Sequence, residues 1–81
     1  MDNDKYKYYL YDLGLQLKEM ALESKQDYLK ADKSNRSFEE GRLFTYYAVI
    51  SRMLNETIAF DIKADEIRLE DIDPDKDLWC E

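Results

Sequence analysis

Four aspartates stand at alternate positions in EDIDPDKDLW (70–79): Asp71, Asp73, Asp75 and Asp77. Alternating carboxylates are the ligand pattern of calcium loops, which also need a glycine for the sharp turn and a closing glutamate. Counted from Asp71, the glycine position holds Lys76, and Pro74 stiffens the segment where a loop would bend. The spacing predicts a turn instead, with Asp73 capping through its side chain and Pro74 at the second position. No metal and no other cofactor is expected.

The remaining chemistry-bearing residues are sparse. There is no histidine, hence no Ser-His or Cys-His pair and no Glu-x-x-His metal motif of the di-iron bundles. Glu19 and Glu23 lie one turn apart but on a polar seam. The one cysteine, Cys80, sits among acidic neighbours that raise a thiol pKa, and with no second cysteine it forms no internal disulfide. Two glycines, Gly14 and Gly41, cannot make a phosphate-cradling loop. Catalysis is not expected. The lone thiol, the polar start MDNDKYKYY without an apolar stretch, and the absence of a ~20-residue apolar run predict a cytoplasmic protein with no membrane partner.

The charge is unevenly placed. Residues 1–60 carry ten acids and nine bases, whereas residues 61–81 carry nine acids against Lys63, Arg68 and Lys76. The near-neutral body offers no basic stripe for phosphates, so no nucleic acid is expected as a partner.

An all-α fold has to position these residues. From about 3 to 31 there is no proline, and Tyr6, Leu10, Leu13, Leu17, Met20 and Ala21 recur at helical spacing. The polar stretch DKSNRS (32–37) reads as a turn, with Asn35 suited to a left-handed conformation. Ser37 and Glu40 form a capping-box signature, predicting a second helix over about 38–60. A connection this short gives an antiparallel two-helix hairpin over 1–61. Residues 62–81 then form an irregular acidic C-terminal arm, with one helical turn at ADEI (64–67). Its Ile62, Ile67, Leu69, Ile72, Leu78 and Trp79 are apolar enough to lie partly on the hairpin. In 81 residues such additions matter, because a chain of this size buries only about 60% of its unfolded surface.

At about 100° per residue, helix 1 carries two apolar stripes. Leu10, Leu13, Leu17, Met20 and Ser24 form the first, with Gly14 and Ala21 beside it to allow a close neighbour. Tyr8, Tyr11, Leu15, Leu22 and Leu29 form the second, on the opposite side. Between them run one seam of Asp12, Glu19, Glu23 and Lys30, and another of Lys7, Lys18 and Lys25. Helix 2 covers only one stripe, and its own apolar band, from Leu43 to Phe60, is also wide. The second stripe therefore predicts a homodimer, two hairpins making a four-helix bundle. A monomer with the arm folded over that stripe, or a different partner protein, are the alternatives. For the arm, the sequence predicts docking through Leu78 and Trp79, with Asp73 or Asp75 presented to Arg42 on helix 2.

SFEEGRLFTYYAVIS (37–51) and DIDPDKDLW (71–79) together resemble small uncharacterised helical-hairpin proteins encoded in bacterial genomes. The resemblance rests on Phe38, Gly41, Arg42, Leu43, Tyr46, Tyr47 and the Asp-Pro-Asp-x-Asp-Leu arm. It implies the hairpin fold and a bacterial source, and no activity. The sequence thus points to a small accessory protein acting by self-association. The alternative is an acidic inhibitor or immunity-type protein engaging a basic partner, such as a toxin or a nucleic-acid-binding protein.

Overall fold

A computed structural model of the chain describes residues 2–79, and the side chains of residues 4–79; Cys80 lies outside the described residues. Its regular elements are helical throughout. Helix α1 spans Asp2–Lys30 and α2 spans Arg36–Ala59. A 3₁₀ turn, Ala64–Ile67, and a π-helical turn, Pro74–Trp79, follow. The molecule is a slab of 50 × 20 × 16 Å. Its long axis is that of α1, whose 29 residues make a rod of about 44 Å.

The turn between the helices differs from the predicted one. Helix α2 starts at Arg36 rather than Phe38, and its N-cap is Asn35 in right-handed geometry (φ −105°), without a side-chain cap. The organising group is Asp32. Its Oδ1 accepts from Ser34 Oγ at 2.8 Å and from the Asn35 backbone N–H and side-chain amide, both at 3.1 Å. An aspartate bonding forward to its own turn competes successfully with a capping box one residue set later.

The arm follows a defined path over the hairpin, because left-handed residues end both elements that lead into it. After α2, the Ile62 N–H bonds to the Thr57 carbonyl at 2.8 Å and Asp61 N–H to Ile58, with Asp61 at φ 56°. That is a Schellman motif with aspartate where glycine is usual. Arg68 (φ 60°) repeats it after the 3₁₀ turn, with Leu69 N–H reaching the Ala64 carbonyl at 3.0 Å. These two reversals turn the chain back along the hairpin, so the arm becomes a third layer. The buried core joins Ala21 of α1, Leu43 and Ile50 of α2, and Ile67, Leu69, Ile72 and Leu78 of the arm. Tyr28, Tyr46, Tyr47, Met53 and Leu54 pack around it.

Candidate functional site

The line of α1 that faces the arm runs Gly14, Lys18, Ala21, Lys25, Tyr28, spaced by four and three residues as one helix face requires. Sequence assigns Gly14 and Ala21 to close packing with a neighbouring helix. The close neighbour at Gly14 is the arm: a Cβ there would overlap the Ile67 carbonyl oxygen. The two lysines edge this small-residue track and hold the arm at two heights. Lys18 Nζ donates to both Asp71 oxygens, at 2.9 and 3.2 Å. Lys25 Nζ donates to the Leu78 carbonyl at 3.1 Å. Lys18's stem is buried, its side chain only 11% exposed, while the Asp71 carboxylate it meets faces water. That hydrogen bond, reinforced by the ammonium's charge, holds the Asp71 carboxyl below its usual 3.8. Lower on α1, Tyr11 accepts from Arg68 Nη1 at 2.7 Å, with the guanidinium over its ring at 4.9 Å.

Against α2, the π-helical turn sets Trp79 edge-on to Phe44, centroids 5.2 Å apart, and beside Tyr47 at 5.8 Å. Leu78 is fully buried. The Tyr47 hydroxyl donates to Asp75 Oδ1, and that bond to a carboxylate raises the Tyr47 pKa. Asp73 Oδ1 accepts from the Asp75 and Lys76 amides at 3.1 and 3.3 Å, and Asp77 Oδ2 accepts from the Asp73 amide at 2.9 Å. The four alternating aspartates thus turn to Lys18, to local amides and to Tyr47, with no common centre. Among the described residues no group of three or more His, Cys, Asp or Glu is placed to hold a metal ion. Beside Trp79 an open cleft of about 360 Å³ is lined by Lys25, Tyr28, Glu40, Leu43 and Leu78.

Arg42 is placed differently from its predicted pairing with Asp73 or Asp75. Its Nη1 donates to Glu39 at 2.8 Å and to Asp27 of α1 at 3.1 Å. The reason is rotational position. Arg42 lies about 80° around α2 from Ile50, on the flank of the α1–α2 groove opposite Tyr47, so the arm and its carboxylates run along the other flank. Sequence reasoning missed Lys18, Lys25 and Asp71 as arm contacts. The signal was present: two lysines seven residues apart, bordering Gly14 and Ala21, in a chain whose acids concentrate in a C-terminal arm.

Because the arm takes the small-residue track, it leaves much of the predicted dimer stripe open. Leu15 is half-buried, whereas Leu22 (41%), Leu29 (57%), Tyr8 and Tyr11 are exposed. The first stripe is also incompletely covered, with Leu13 and Leu17 half-buried and Met20 exposed. Ser24 is fully buried, and its hydroxyl finds no hydrogen-bond partner among the described residues.

No helix among the described residues is long and apolar enough to cross a membrane. No protein-family model, curated protein or solved structure matches the chain.

Proposed function

We propose that this chain is a small interaction protein whose principal partner is a second copy of itself, and that it acts by binding rather than by catalysis. The supporting observation is its shape and surface. A compact chain of 81 residues has a radius of gyration near 12 Å by the usual scaling, against 14.1 Å here. A monomer of 9.7 kDa exposes about 5,100 Å², against 6150 Å² here. The difference is on the order of 1,000 Å², close to the ~800 Å² that one partner contributes to a standard interface. The exposed part includes large apolar side chains from both helices, among them Met20 and Val49. A second slab laid on the first gives a four-helix bundle, the ordinary destination for two such helix pairs. Size-exclusion chromatography with light scattering, run across a hundredfold range of concentration, tests this. A mass moving towards twice 9.7 kDa is the expected result, and 9.7 kDa throughout would refute it.

The rival reading has the acidic arm engaging a basic protein. It is weakened by the internal engagement of Asp71, Asp73, Asp75 and Asp77 described above, since each already accepts a hydrogen bond within the chain. A salt-sensitive complex with a basic protein, lost on deleting residues 70–81, would restore it.

A further inference from the structure

The hairpin has two broad sides, and only one carries the arm. The Arg42–Asp27 ion pair marks the other, because it bridges α1 and α2 on the flank away from Gly14, Lys18 and Tyr47. Seven residues make nearly two full helical turns. Met20, seven before Asp27, and Val49, seven after Arg42, therefore lie in line with that ion pair, one on each helix. Leu13 and Phe60 continue the same side towards the open end of the hairpin. Met20 is 47%, Val49 40% and Phe60 69% exposed, and Leu13 and Met53 are half-buried beside them. A shallow hollow of about 340 Å³ opens there between Ala48, Val49, Arg52 and Met53, the kind of depression that a side chain from a facing helix fills.

Resting on the self-association proposed above, we infer that the second copy covers this bare side of the hairpin, with Met20 and Val49 at the centre of the contact. The stripe of Tyr8, Tyr11, Leu15, Leu22 and Leu29 is the less suitable face. It is one helix wide, and Arg68 and the arm already crowd its edge at Tyr11. The bare side presents both helices over their shared length, so two copies facing each other form four packed helices with both arms outside. The area needed on each copy, ~800 Å², compares with the roughly 1,000 Å² by which the surface of the whole slab exceeds that of a compact monomer of its mass.

The experiment compares Met20→Asp, Val49→Asp and Leu22→Glu in the full chain by sedimentation equilibrium. Circular dichroism melts confirm that each variant folds, as expected of substitutions at exposed positions. Met20→Asp and Val49→Asp should each weaken self-association at least tenfold, because the carboxylate would be buried without a partner. Leu22→Glu should leave it within twofold. Dissociation by Leu22→Glu with the other two unaffected would overturn the assignment of the face while leaving self-association standing. A wild-type chain that is monomeric at every concentration would overturn both. Should either aspartate variant fail to fold, cross-linking of a Val49→Cys, Cys80→Ser chain replaces it. A covalent dimer formed across position 49 supports the face, and its absence at concentrations where the chain is dimeric overturns it.

Discussion

Replacing Gly14 with alanine has an effect whose sign depends on where the arm lies. In a solvent-exposed helix interior, glycine to alanine stabilises by about 1 kcal/mol, because alanine leaves the unfolded chain with less backbone freedom to lose. Here the new methyl would overlap the Ile67 carbonyl oxygen, which is backbone and cannot rotate aside. Overpacking of this kind costs about 1–3 kcal/mol. If the 3₁₀ turn lifts away to relieve it, burial of Ile67 is lost instead, at about 1.5–3 kcal/mol. Set against the propensity gain, Gly14→Ala should destabilise by up to about 2 kcal/mol. Gly41 supplies the control: nothing lies within 4 Å of its added methyl, so Gly41→Ala should stabilise by about 0.5–1 kcal/mol. Urea unfolding followed by circular dichroism reads both. A trypsin time course at Lys63, Arg68 and Lys76 should show the arm cut faster in Gly14→Ala. Equal stabilisation by the two substitutions would refute the docking of the arm on α1.

Three further expectations follow from single contacts. Asp71→Asn strips the charged partner from the mostly buried Lys18 and should lower the urea midpoint more than Lys18→Met does, because the latter leaves Asp71 hydrated. Since Lys18 depresses the Asp71 pKa, this stabilisation is complete above the unfolded value of 3.8 and fades as pH falls through the lower folded one; an acid titration of stability should lose that component in Asp71→Asn. Ser24→Ala removes a buried hydroxyl with no partner among the described residues and should raise stability by up to about 1 kcal/mol in thermal melts. Asp61→Gly relieves a non-glycine left-handed residue at the end of α2 and should raise stability by about 0.5–1 kcal/mol in the same assay.

The two helices were legible because their determinants are local: a 29-residue stretch free of proline, apolar residues at 3–4 spacing, and a polar break. The turn at ADEI was legible for the same reason. The start of α2 differs from the Ser37–Glu40 capping-box signature because Asp32 bonds forward to Ser34 and Asn35 and fixes the turn earlier, a contact that the cap pattern alone does not reveal. The arm's apolar residues announced burial but not its track. That track depends on two left-handed reversals at Asp61 and Arg68, positions where sequence offers aspartate and arginine rather than glycine. The sequence marks Arg42 as wanting a carboxylate, and the fold brings Asp27 and Glu39 to it instead of the arm. Periodicity located the apolar stripes of α1, but which face stays bare depends on the side of the groove the arm takes, a choice made by Gly14 and the two lysines.

Isotope-filtered nuclear Overhauser spectroscopy addresses the central claim most directly, using a mixture of labelled and unlabelled full-length chain at concentrations where the pair forms. Intermolecular contacts should appear at the methyl groups of Met20, Val49 and Met53. Contacts confined to Leu22 and Leu29, or none at all, would contradict it.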